Sequence, residues 1–117
     1  RLCPEIDLYS GNDDHVLPIL SLGGKGVISV TANVCPKEVH DLCAAWFEGD
    51  IARARALQFA LNPLTKLLFC EVNPIPVKAA VNLLGFDAGN PRLPLTPMTE
   101  ANEKKLADRM RAMGLIR

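Results

Sequence analysis

The chain has 117 residues, with 13 basic and 13 acidic side chains and a formal net charge of zero. This balance gives no excess of positive charge that would attract nucleic acid or an anionic membrane. An aromatic content of 5% leaves few side chains on which bases could stack. Hydrophobic residues make up 49% of the chain, enough for the core of one domain. No apolar run approaches the roughly 20 residues that cross a bilayer, and no signal peptide is visible. We therefore expect a cytoplasmic protein with no nucleic-acid or membrane partner.

The first 30 residues predict a strand, a helix and a second strand. Residues 6–10, "IDLYS", and residues 26–30, "GVISV", have the apolar character and length of strands. Between them, residues 13–22 have helical apolar spacing, with Asn12 or Asp13 as the expected N-cap and Pro18 near the first turn. This order favours parallel pairing of the two strands through a right-handed crossover.

The glycine-rich stretch "GGKG", residues 23–26, raises the question of a phosphate-binding loop. Such a loop requires a strand, then glycines, then a helix, because the anion binds free amides at the helix N-terminus. Here the glycines follow a helix and precede a strand. We interpret them as a turn that ends the helix and leads into a buried parallel strand.

From Pro36 onward the sequence is helical, with no further convincing strand. Pro36 suits the first turn of a helix that Gly49 ends, and Asp50 is the expected N-cap of the next helix. Pro63 is expected to kink that helix rather than end it, and Thr99 is the expected N-cap of the last one. Apolar spacing places Leu106, Met110 and Met113 inward in the last helix. The predicted helices cover residues 36–49, 51–69, 73–85 and 100–114.

Two strands do not make a stable buried sheet, so the remaining strands must come from elsewhere. Either other chains supply them or the sequence is the C-terminal piece of a larger α/β protein. The chain begins at Arg1 without an initiator methionine, and we expect the second arrangement.

Four cysteines occur without a CxxC pair, at positions 3, 35, 43 and 70. Their irregular spacing favours buried free thiols over disulfides. A zinc site built on Cys35, His40 and Cys43 lacks an obvious fourth ligand, and we expect no metal.

In parallel α/β folds the catalytic and ligand-binding residues lie in loops at the carboxyl ends of the strands. That places "SGNDD", residues 10–14, and "TANV", residues 31–34, at the candidate site. Gly11, Asn12 and Asp13 can present backbone and polar groups to a ligand there, although helix capping accounts for Asn12 and Asp13 equally well. Lys25 lies at the opposite end of its strand, and no Ser-His-Asp set or carboxylate pair can be assembled. The residues alone do not form a complete active site.

Four segments, "YSGNDD", "LGGKGVISVTANV", "NPIPVKAAVNLLG" and "RLPLTPMTEAN", follow in an order and spacing that resembles the C-terminal portion of the dihydrodipicolinate synthase family. The resemblance covers essentially all 117 residues. The motifs "NPIPVK" and "GVISVTANV" together separate this family from relatives that share the fold. N-acetylneuraminate lyase is the nearest alternative.

The resemblance implies a (β/α)8 TIM barrel followed by a helical C-terminal domain, assembled as a homotetramer. Residues 1–49 would then form the last two βα units, with residues 6–10 as the seventh strand and residues 26–30 as the eighth. Residues 50–117 would form the helical domain. The family condenses pyruvate, held as a Schiff base on a lysine, with aspartate 4-semialdehyde to give 4-hydroxy-tetrahydrodipicolinate, on the diaminopimelate route to lysine. No cofactor is implied.

The resemblance also assigns substrate-binding residues. Ile28 matches an eighth-strand isoleucine that contacts pyruvate mainly through its backbone, and Gly11 matches a glycine that borders the substrate cavity. Asn12 stands where relatives often have aspartate. The Schiff-base lysine and the relay tyrosine match no position of this chain and would lie upstream of Arg1, so Tyr9 does not take that role. We expect the chain alone to be inactive; the remaining alternative is a non-catalytic helical binding module that reuses the end of a barrel.

Overall fold

The structure is a computed structural model and describes residues 5–117. Its two strands, β1 (Tyr9–Ser10) and β2 (Gly26–Val27), pair in parallel, with Tyr9 opposite Gly26 and Ser10 opposite Val27. A short 3-10 helix (Asp13–His15) and α1 (Val16–Ser21) connect them. The predicted strand, helix, strand order is confirmed.

Both strands are shorter than predicted, at two residues each instead of five. β2 ends early because Val30 already has helical backbone angles, φ −77° and ψ −42°, and leads into a 3-10 helix at Thr31–Asn33. The second predicted strand is also less buried than expected: within residues 5–117, Ile28 of the predicted strand is 72% exposed.

The glycine turn ends α1, as predicted. The Gly23 and Gly24 amides donate to the carbonyl groups of Leu20 and Ile19, at 3.0 and 2.9 Å. Gly23 has a φ of +90°, a conformation that glycine adopts without strain, and a Cβ on Gly24 would lie 2.7 Å from the Ile19 carbonyl oxygen. The turn therefore requires glycine for geometric reasons at both positions.

Asn12 occupies the N-cap position of the 3-10 helix that leads into α1, as predicted, but neither Asn12 nor Asp13 caps the segment with its side chain. Asn12 precedes the 3-10 helix with an extended backbone, but its side chain makes no capping hydrogen bond. The Asp13 carboxylate instead crosses to the chain segment after β2, where it accepts hydrogen bonds from backbone amides. The amides that donate to this carboxylate are 17 and 18 residues away, so the sequence around Asp13 does not predict these hydrogen bonds.

Four further helices follow: α2 (Pro36–Phe47), α3 (Ile51–Leu68), α4 (Ile75–Leu83) and α5 (Glu100–Ala112). The N-cap prediction for Asp50 is confirmed, since its Oδ1 accepts a hydrogen bond from the Arg53 amide at 3.0 Å. α3 continues through Pro63. The prediction of a helical chain after residue 36 is thus confirmed.

The predicted N-cap of the last helix is confirmed by position, although the Thr99 side chain makes no capping hydrogen bond. Thr99 occupies the N-cap position of α5, and its carbonyl accepts from the Asn102 and Glu103 amides. Its hydroxyl, however, donates to Glu71 Oε1 at 2.6 Å. Glu71 lies in the connection before α4, so this hydrogen bond ties that connection to the start of α5.

One hydrophobic core joins α1 through α5 and runs across residue 50 without a break. In α3, Leu61, Leu64 and Leu68 are buried, and they share the core with Leu106 and Met110 of α5. None of the helices in residues 5–117 has the length and apolar content needed to cross a membrane. The apolar core of residues 5–117 is therefore formed mainly by packing between helices.

The three cysteines of residues 5–117 are free, but they differ in burial. Cys35 is buried, Cys43 is partly buried and Cys70 is exposed, so the prediction of buried thiols is wrong for Cys70; Cys3 lies outside the described residues. Burial, followed by the charges of Glu38 and Asp13, raises the pKa of Cys35 to about 12. Cys35 is therefore an unreactive core residue.

Candidate functional site

The carboxyl ends of β1 and β2 lie side by side. The Ile28 amide donates to the Ser10 carbonyl at 2.8 Å, which places Ile28 next to the loop that begins at Gly11. The sequence-predicted residues Gly11, Asn12 and Ile28 therefore meet at one end of the sheet. This end of the molecule is the candidate functional site.

Each predicted residue presents a different group there. The Ile28 amide is used within the sheet, whereas its carbonyl oxygen accepts no hydrogen bond from residues 5–117. A Cβ at Gly11 would meet nothing within 4 Å, so packing in this part of the chain does not demand glycine. The Asn12 side chain is exposed, and the Ser10 hydroxyl donates to the Asn12 carbonyl at 2.7 Å, which folds the loop over the strand end.

Two cavities border Asn12. One, of about 250 Å³, lies over the end of β1 and also contacts His15 and Ile19. The other, of about 340 Å³, is enclosed by the same loop and α3, through Thr65, Lys66 and Phe69. The loop after β1 thus lies between two concave surfaces, one against the sheet and one against the helical region.

Asp13 is the residue that organises the site; the sequence left ligand contact and helix capping open for it, and the structure shows neither role but a bridge between two loops. Its side chain is 5% exposed. One carboxylate oxygen accepts from the Val30 and Thr31 amides at 3.0 and 3.3 Å, and the other accepts from the Ser29 hydroxyl. Ser29 Oγ also accepts from the Ala32 amide at 2.8 Å. Asp13 therefore holds the loop after β1 against the loop after β2.

Gln58 of α3 extends this network into the helical region. Its Nε2 donates to the Asp13 carbonyl at 2.9 Å and to Asn62 Oδ1 at 2.9 Å, and its Oε1 accepts from the Leu17 amide at 3.3 Å. Sequence reasoning missed Gln58. The signal was a polar residue at helical spacing between Ala54 and Leu61 on the inward face.

A second contact joins α3 to the site. The hydroxyl groups of Thr31 and Thr65 lie 3.1 Å apart, and both residues are buried. Thr65 follows Gln58 by seven residues, two helical turns, so both side chains leave the same face of α3. α3 therefore contacts both strand-end loops through buried polar groups.

The side chains of this network are engaged with one another and with backbone groups. Every buried side-chain nitrogen and oxygen in residues 5–117 has a hydrogen-bond partner. No group of three or more metal-binding side chains is found in the same residues; His40 is exposed and pairs with Asp41 at 3.4 Å, away from buried Cys35. The arrangement is suited to holding the backbone at the strand ends rigid.

Comparison with known proteins identifies the family. The model of the dihydrodipicolinate synthetase family matches residues 1–113. The chain belongs to this family. It is 61% identical over 105 residues to a 4-hydroxy-tetrahydrodipicolinate synthase of Caldicellulosiruptor bescii, covering 90% of this chain and 36% of the relative. A synthase of the same name from Alkaliphilus oremlandii is 54% identical over 117 residues, covering 99% of this chain and 40% of the relative.

Solved dihydrodipicolinate synthases share the fold over the matched part. The enzyme from Thermotoga maritima superposes with a TM-score of 0.92 at 46% identity, over 94% of this chain and 37% of that one. The enzyme from Acinetobacter baumannii, solved in complex with pyruvate, gives 0.89 at 39% identity, over 95% and 38%. The chain spans about two fifths of the length of these relatives.

Proposed function

We propose that residues 1–49 form the seventh and eighth βα units of a (β/α)8 barrel, and that residues 50–117 form the helical domain that follows it. The parallel pairing of β1 and β2 supports this arrangement, because parallel strands joined by a helix are the repeating unit of such barrels. The exposed apolar side chains of Tyr9 and Ile28 also support it, since neighbouring strands and helices would cover them.

The proposed activity is the condensation of pyruvate, held as a Schiff base on a lysine, with aspartate 4-semialdehyde. The product would be 4-hydroxy-tetrahydrodipicolinate, on the route to lysine. Identity above 50% to relatives named for this synthase carries the proposal. The protein would act as a cytoplasmic homotetramer without a cofactor.

Ile28 would meet the substrate through its carbonyl group. Its amide is bonded to Ser10, so the free backbone group at the strand end is a hydrogen-bond acceptor. An acceptor suits a protonated group of the bound intermediate, such as the iminium N–H or a hydroxyl, better than the carboxylate of free pyruvate. Gly11 and Asn12 would border the substrate cavity beside it.

The chemical steps would need residues from outside this chain. In this proposal the Schiff-base lysine and the relay tyrosine precede Arg1, and residues 1–117 alone are inactive. The chain would contribute the backbone at Ile28, the loop at Gly11 and the helical support behind both.

The test uses the protein expressed from its complete reading frame. We expect it to consume pyruvate and aspartate 4-semialdehyde together and to leave N-acetylneuraminate uncleaved. Cleavage of N-acetylneuraminate would instead favour the related pyruvate-dependent aldolase. A folded, monodisperse protein with neither activity would favour a non-catalytic binding module.

A further inference from the structure

A single carboxylate holds the three residues that follow Ile28. Ser29 donates to Asp13 through its hydroxyl, and Val30 and Thr31 donate through their amides. On the other side of Ile28, the β2 ladder ends with the Ile28 amide bonded to Ser10. The peptide that bears the Ile28 carbonyl is thereby fixed at both ends, and so is the direction in which that carbonyl points.

We propose that Asp13 is a positioning residue for the Ile28 carbonyl, and that Gln58 is the side chain through which α3 keeps Asp13 in place. The inference rests on the proposed function, because it assumes that this carbonyl meets the pyruvate-derived intermediate. In this role Asp13 affects the substrate only through the position of the Ile28 backbone.

The carboxylate is stabilised in this position by hydrogen-bond donors. No lysine, arginine or histidine of residues 5–117 forms an ion pair with Asp13. Removing the side chain would leave two backbone amides and a hydroxyl without their acceptor, in a largely buried place. The loop after β2 would then rearrange to find other partners, and the Ile28 carbonyl would move with it.

Gln58 fixes the other side of Asp13. Its amide group donates to the Asp13 carbonyl and accepts from the Leu17 amide, so one side chain of α3 spans the short helical connection after β1. Gln58 is itself buried and is held by Asn62. The helical region therefore sets the position of Asp13, and Asp13 sets the position of the strand end.

Glu71 supplies a matched control. Its Oε1 accepts three hydrogen bonds, from the Thr99 amide, the Thr99 hydroxyl and the Asn102 side chain. Asp13 also accepts three hydrogen bonds, from two backbone amides and one hydroxyl, but the hydrogen bonds of Glu71 join the connection before α4 to the start of α5. Glu71→Ala and Asp13→Ala thus remove carboxylates with the same number of donors at different places.

The experiment measures kcat/KM for pyruvate in the protein from the complete reading frame, at a temperature where circular dichroism shows each variant folded. We expect Asp13→Ala to lower it about tenfold or more, because a misplaced contact near the reacting atoms is costly. Asp13→Asn, Ser29→Ala and Gln58→Leu should give losses of about twofold to fivefold, since each keeps part of the network. Glu71→Ala should stay within about twofold of wild type while its melting temperature falls.

Equal kcat/KM values for pyruvate in Asp13→Ala and Glu71→Ala would overturn the proposal. If Asp13→Ala does not fold, unchanged values in both Ser29→Ala and Gln58→Leu would do the same. Amide hydrogen exchange separates this inference from the proposed function. Faster exchange at Ile28 in Ser29→Ala, but not in Glu71→Ala, supports the positioning role even in a protein that shows no activity with pyruvate, and such a protein would refute the proposed function alone.

Discussion

The strand region, residues 5–34, and the helical region, residues 36–117, are stabilised by different interactions. The helical region has a continuous apolar core centred on α3 and α5. The strand region adds Val16 and Leu20 of α1 to that core, but its strands form a sheet of two residue pairs with exposed apolar side chains, and a buried polar network links their ends to α3. The position of the strand ends therefore depends on polar side chains of a neighbouring helix more than on the sheet itself.

The difference has an energetic consequence. Burying a leucine side chain contributes about 1.5–3 kcal/mol, whereas a typical hydrogen bond contributes a net ~1 kcal/mol but costs about 1–3 kcal/mol when one buried partner is left alone. Loss of a core side chain should weaken the helical region strongly. Loss of one group of the polar network should have a local effect. Its free-energy cost should depend on whether the hydrogen-bond partner is removed as well.

The largest expected effect is in the helical core. Leu64 is 0% exposed in the middle of α3, and Leu64→Ala should lower the free energy of unfolding by about 2–5 kcal/mol, because it leaves a cavity. Phe59→Ala, on the same helix but at a residue that is 66% exposed, should change it by less than about 0.5 kcal/mol. Urea denaturation of the complete protein measures both. Similar losses for the two variants would mean that Phe59 is covered in the complete protein.

A smaller effect is expected at the contact between the two regions. Thr31→Val or Thr65→Val alone should destabilise the protein by about 1–2 kcal/mol, because each leaves one buried hydroxyl without its partner. The double variant should lie closer to wild type than the sum of the single losses. A double-mutant cycle from urea midpoints gives the coupling energy. Strict additivity would show that the two hydroxyls do not interact.

The smallest expected effect is the pH dependence at Glu71. Hydrogen bonds from the Thr99 side chain, followed by Asn102, hold the pKa of Glu71 below its ordinary value of 4.5. The unfolded chain then binds more protons at this site, so the carboxylate stabilises the folded state above pH 4.5 and less as the pH falls through the lowered pKa. The stability difference between wild type and Glu71→Gln should therefore shrink between pH 6 and pH 3. A difference that grows on acidification would contradict this sign.

The sequence predicted features that depend on neighbours in the chain. Helix periodicity, the glycine turn at Gly23 and the cap at Asp50 are local, and the structure confirms all three. The rule for parallel strands placed Gly11 and Asn12 at the carboxyl end of the sheet, and the family resemblance added Ile28; their roles in binding stay predictions.

The errors concern polar side chains with distant partners. Asp13 and Thr99 match local capping patterns, but their hydrogen bonds reach residues 16 to 28 positions away. Gln58 gave only the weak signal of a polar residue in an apolar stripe, and its partner Leu17 is 41 residues away. Such contacts are set by how segments distant in the chain pack together, which a single sequence does not specify.

The most direct test of the account is borohydride reduction in the presence of pyruvate, followed by peptide mass spectrometry. For the protein expressed from its complete reading frame, we predict one modified lysine, outside residues 1–117, whereas a chain of residues 1–117 alone should gain no mass. Modification of Lys25, Lys66 or Lys78 would contradict the proposal that this chain supplies the supporting backbone and not the Schiff-base lysine.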